Sequence, residues 1–132
     1  MAEAASVAPR RLLLVVDDDD SMRRALARSL RAAGFEVEAF ASAEALIARG
    51  LPEREACLVL DVSMPGIGGI EFRRGLMASG RDLPTIFITA RPKEEVGPEL
   101  DSLGAVAVLY KPFAERTLLE AIERTGEPKT GR

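Results

Sequence analysis

Four short runs, residues 12–16, 57–60, 85–88 and 105–109, are almost unbroken stretches of apolar side chains, and each leads into a segment with apolar residues at helical spacing. A strand with one wet face alternates apolar and polar residues, so unbroken runs need cover on both faces. A fifth β-rich stretch, residues 36–40, falls between the first two helical patterns. Five strand-helix pairs in alternation imply a parallel sheet with right-handed crossovers, a doubly wound α/β fold. In the first helix Met22, Ala25, Leu26, Leu30 and Ala33 form the expected apolar stripe, with Gly34 just past its end; in the last, Ala114, Leu118, Ala121 and Ile122 do so. Gly97-Pro98 interrupts the fourth helical segment. Proline fits a first turn but not an interior, so a short, mobile fourth helix starting near Pro98 is expected.

Of the two regular strand orders for such a sheet, five strands favour the flavodoxin-like 2-1-3-4-5. With 132 residues the chain has room for one core. Residues 10–125 are expected to form it, with a flexible tail at 1–9 and a tail or linker start at 126–132. The 18 basic against 21 acidic residues give a net charge of −3, which leaves no basic footprint for direct nucleic-acid binding. The single cysteine, Cys57, lies in an apolar run, where a buried thiol is the expected state. The N-terminal run at 12–16 is too short for a signal-peptide core or for the ~20 residues of a membrane span. A soluble, cytoplasmic protein is expected, with no membrane partner.

In an open α/β sheet the functional crevice lies beyond the carboxyl ends of the strands, where the order reverses between the first and third. The chain sets Asp17 and Asp18 after the first strand, Asp61 after the third, Thr89 and Ala90 after the fourth and Lys111 after the fifth. Carboxylates meeting from neighbouring strands repel unless protonated or bridged by a cation, and oxygen ligands without His or paired Cys favour a hard ion such as Mg²⁺. Asp19 and Asp20 read instead as the start of the first helix. Lys111, one of three lysines, interrupts an apolar strand just before Pro112. Beside carboxylates and a cation, its ammonium and the Thr89 hydroxyl suit an anion such as a phosphoryl group. No His, strand-end Cys or glycine-rich phosphate loop is available for a hydrolase triad or a P-loop. What remains is phosphoryl transfer onto an aspartate, with Asp61 as nucleophile.

The motifs "VVDDD", "DVSMPGIGG", "ITA" and "KPF", in this order and spacing, resemble the receiver domain of bacterial two-component response regulators, most closely the nitrogen-fixation regulator subfamily. The resemblance implies Asp61 as phosphoacceptor and Mg²⁺ ligand, Asp18 as a direct Mg²⁺ ligand, Asp17 as a second acid acting through water, and the Ser63 backbone carbonyl as a further ligand. It also implies phosphoryl contacts from Thr89, Lys111 and the Ala90 backbone, a cis Lys111-Pro112 bond, and lifetime tuning by Ser63 and Arg91. The chain would then be a phosphorylation-activated switch that is not an enzyme, apart from its part in its own phosphorylation and slow dephosphorylation. Lacking His, it needs a separate histidine kinase or histidine phosphotransfer protein, met through the first helix around Met22, Arg23 and Ala25. A homodimer through the fourth helix and fifth strand is a further expectation.

Two departures from the pattern concern the output side. The usual switch aromatic, three residues before Lys111, is Val108, while Tyr110 stands on the same strand face but displaced. The second departure is Gly97-Pro98. They keep a phosphorylation-independent interaction module as the alternative. A small aspartate-nucleophile phosphatase fits less well, because the haloacid-dehalogenase-like signature needs a threonine where Ser21 stands.

Overall fold

The structure, a computed structural model, describes residues 11–125; the expected tails at 1–9 and 126–132 lie outside the described residues. Strands β1 (Leu12–Val16), β2 (Glu36–Phe40), β3 (Ala56–Asp61), β4 (Thr85–Thr89) and β5 (Ala107–Tyr110) alternate with helices α1 (Asp20–Ala32), α2 (Ala43–Arg49), α3 (Gly69–Ala78), α4 (Lys93–Asp101) and α5 (Glu115–Thr125). The sheet is parallel throughout, in the order β2-β1-β3-β4-β5.

Strand alternation sorts the core into two layers. Leu13, Val15, Cys57, Val59, Ile86, Ile88 and Leu109 face Leu26, Ala27 and Leu30 of α1 and Leu118, Ala121 and Ile122 of α5. On the other side Leu12, Leu14, Val16, Leu58, Leu60 and Phe87 meet Ala43 and Leu46 of α2, Phe72 and Leu76 of α3, and Val96 and Leu100 of α4. The buried stripe of α1 is therefore Leu26, Ala27 and Leu30, whereas Ala25 and Ala33 are exposed. Alanine's small apolar area makes either side of the stripe tolerable for it. Ala114 is also exposed and precedes α5.

The start of α4 departs from expectation. The helix is short, but it begins at Lys93 and carries Pro98 in its interior. The Pro92 carbonyl accepts from the amides of Glu95 and Val96, at 2.9 and 3.2 Å, and so opens the helix before the proline is reached. An interior proline costs about 3 kcal/mol. Burying Val96 and Leu100, 2% and 0% exposed, returns roughly 2 kcal/mol each, enough to hold the segment helical on the sheet.

Among the described residues no helix is long and apolar enough to cross a membrane.

Candidate functional site

Register decides which side chains meet at the carboxyl edge. Val16 pairs with Leu60, so Asp17 and Asp61 stand level on neighbouring strands. Asp61 pairs with Ile88 and Thr89 with Tyr110, so Lys111 emerges two rungs farther out than Asp61. A long, flexible stem is needed to reach back, which lysine has. Its Nζ lies 3.3 Å from an Asp17 oxygen and 3.7 Å from an Asp61 oxygen. Carboxylate oxygens of Asp17, Asp18 and Asp61 all lie within 4.8 Å of one another.

Burial separates the three acids. Asp17 is wholly enclosed and is held by the Asp19 amide, which donates to its Oδ1 at 2.9 Å, and by Lys111 at its Oδ2. Asp18 is exposed, and Asp61 is 4% exposed. Burial pushes the Asp61 carboxyl up to about 7, the charge of Asp17 adds to this, Lys111 opposes it, and Asp18 raises it further. One ammonium does not neutralise three crowded carboxylates, and the all-oxygen cluster fits a hard divalent cation.

The remaining aspartates of the acidic run serve the helix. Asp19 is the N-cap of α1, accepting from the Met22 amide at 3.0 Å, and exposed Asp20 pairs with Arg23, which lowers its carboxyl pKa. Arg23 also donates to the Asp17 carbonyl at 3.0 Å, tying the first turn of α1 to the site.

Thr89 is wholly buried at the end of β4; its hydroxyl accepts from the Arg91 amide at 3.0 Å, and its carbonyl accepts from the Lys111 amide at 2.7 Å. Ala90 and Arg91 are exposed, with the Arg91 guanidinium turned to Glu95 of α4. The Lys111-Pro112 peptide is cis. Ser63 is exposed in the loop after β3. That loop is tight: a Cβ on Gly69 would come within 2.3 Å of the Asp61 carbonyl oxygen. Val108 and Tyr110 sit apart from the acids, half-buried on the layer that holds α4, and the Tyr110 hydroxyl lies against Gly97. Burial, with Asp101 and Glu94 nearby, raises the Tyr110 phenol pKa.

With a buried carboxylate, a cation cluster, an ammonium and a hydroxyl at one rim, the edge has the parts for phosphoryl transfer. Residues 13–123 match the family described as the response regulator receiver domain.

The chain belongs to the receiver-domain family.

Nodulation protein W of Bradyrhizobium diazoefficiens is 38% identical over 102 residues, covering 77% of this chain and 45% of that protein. The transcriptional regulatory protein FixJ of Rhizobium meliloti is 37% identical over 106 residues, covering 80% and 52%. The receiver domain thus spans about half the length of these curated relatives. Among solved structures, FixJ-N superposes with a TM-score of 0.84 at 34% identity, covering 95% of this chain and 100% of that one. Response regulator StyR gives 0.81 at 43% identity, covering 89% and 59%.

Proposed function

We propose that this receiver domain is a phosphorylation-activated switch in which Asp61 accepts a phosphoryl group from the phosphohistidine of a separate histidine kinase or phosphotransfer protein. The supporting observation is the meeting of Asp17, Asp18 and Asp61 with Lys111 at one rim, a cation site beside a group able to hold an anion. Asp18, Asp61 and the Ser63 carbonyl would ligate Mg²⁺ directly, and Asp17 through a water. Bound there, Mg²⁺ supplies neutralising charge for the transferring group. An Asp61 oxygen bonds to phosphorus as the P–N bond breaks, and the histidine leaves with the electron pair. Lys111, the Thr89 hydroxyl and the Ala90 amide hold the phosphoryl oxygens. Ser63 and Arg91, flanking the acceptor, set how readily water removes the group.

The readout runs from Thr89 through Lys111 into β5 and α4. Phosphorylation shifts a two-state equilibrium of this face, with Val108 and Tyr110 beneath α4, and so changes its affinity for a partner or a second copy. A relative named as a transcriptional regulatory protein, and about twice as long as the matched region, supports gene control as an output delivered outside this domain.

Incubation with acetyl phosphate and Mg²⁺ should add one phosphoryl group, detected by intact-protein mass spectrometry. Asp61→Asn and a chelator should each abolish it. Folded wild-type protein that remains unlabelled would leave only a phosphorylation-independent interaction module.

A further inference from the structure

Residues 62–68 carry the chain from Asp61 around Ser63 to α3, and this loop is fastened at more than its ends. At its base the Gly69 amide donates to the Val62 carbonyl at 3.0 Å. At its crest the hold comes from another element: Oε2 of Glu44, on α2, accepts from the Ile67 amide at 3.0 Å. Gly66 has φ +75°, and a Cβ placed there would lie 2.3 Å from that same carboxylate oxygen. The crest is therefore shaped around the Glu44 carboxylate, with Gly66 leaving it room and the Ile67 amide donating a hydrogen bond to it. Glu44 itself stands on a fixed base. Ser42 caps α2 by accepting from the Ala45 amide at 3.0 Å, and Ala43 and Leu46 are both fully buried against the sheet.

We propose that Glu44 is a positioning residue for the cation site: its hydrogen bond to Ile67 holds the 62–68 loop, and with it the Ser63 carbonyl, in the shape that divalent-cation binding needs. This rests on the assignment of Ser63 in the proposed switch. The carboxylate acts here as an acceptor rather than as a charge. A side chain that keeps an acceptor oxygen at the same reach should therefore replace it.

Titration of the metal-free protein with MgCl₂ by calorimetry, alongside the amide spectrum of ¹⁵N-labelled protein, tests this. For Glu44→Ala, loss of one hydrogen bond should weaken Mg²⁺ affinity about five-fold. The Ile67 amide resonance should move in the metal-free protein. Glu44→Gln should bind Mg²⁺ within about two-fold of wild type, as the amide oxygen takes over the bond. Because Glu44 is exposed, both variants should keep the wild-type unfolding midpoint without metal to within roughly 2 °C. Wild-type Mg²⁺ affinity in Glu44→Ala overturns the positioning role, and so does a Glu44→Gln protein as weak as Glu44→Ala, which would make the charge responsible. Absence of Mg²⁺ binding in the wild type itself would instead overturn the cation-site assignment beneath it.

Discussion

Replacing Asp61 with Asn should raise the thermal midpoint of the metal-free protein at pH 8 by roughly 10 °C, although it removes the proposed phosphoacceptor. The carboxyl titrates near 3.8 when the chain is unfolded and about 7 when burial and the charge of Asp17 surround it. Between those values the native state holds a proton that the unfolded state has released, so stability falls as pH rises from about 4 to about 7. Above that range the whole penalty is present. A shift of this size corresponds to an upper bound of roughly 4 kcal/mol, and structural relaxation leaves about half. Asparagine is isosteric and neutral at every pH, so its advantage should be full at pH 8 and vanish near pH 4. Millimolar Mg²⁺ should narrow the gap at pH 8 by stabilising the wild type through binding to the native state alone. Thermal scans with chelator and with Mg²⁺ at the two pH values decide it; equal midpoints for wild type and variant at pH 8 without metal would mean that the three acids do not crowd one another.

That site was legible because strand ends carry it. Once unbroken apolar runs identify parallel strands, the residues just past each run are assigned to one rim, and Asp17, Asp61, Thr89 and, one residue beyond Tyr110, Lys111 follow without knowledge of any side-chain contact. The division of the acidic run was legible too, since Asp19 sits where an N-cap belongs. Helix faces carry a weaker signal. Alanine carries too little apolar area to mark a buried face, so helical spacing alone puts Ala25 and Ala33 inward where both are exposed. For α4 the local rule against interior proline lost to tertiary packing of Val96 and Leu100, a contest that propensity cannot weigh. Contacts between elements far apart in sequence left no local signal. Glu44 looks like any acid in a first helical turn, and Arg73 stands beside Arg74 in a helix whose exposed face would accept both.

Arg73 is in fact 3% exposed, and its replacement by Ala should lower the thermal midpoint by about 10 °C or more. Its Nε donates to the Leu103 carbonyl at 2.9 Å, and Nη2 reaches the Gly104 carbonyl at 3.4 Å, where α4 turns toward β5. Nη1 donates to Asp82 at 2.6 Å and to the Leu83 carbonyl and the Thr85 hydroxyl, both at 3.1 Å, at the start of β4. One side chain of α3 therefore joins the entry of β4 to the exit of α4, at the edge of the sheet opposite the acids. Truncation leaves the Leu103 carbonyl without this donor in a dry place and removes the packing of the stem, a loss of roughly 3 kcal/mol or more. The Leu83 carbonyl still has the Thr85 hydroxyl, at 2.9 Å, to satisfy it. The ion pair contributes much less, because Asp82 has 68% of its side chain exposed and returns to water when released. Asp82→Ala should accordingly cost only about 1 kcal/mol or less. Arg73→Lys should fall between them, since a single ammonium cannot span both carbonyl clusters. Below its midpoint Arg73→Ala should still be labelled at Asp61, as the two edges share no side chain. If Asp82→Ala instead proves as damaging as Arg73→Ala, the charge pair and not the carbonyl clamp holds this end of the sheet together.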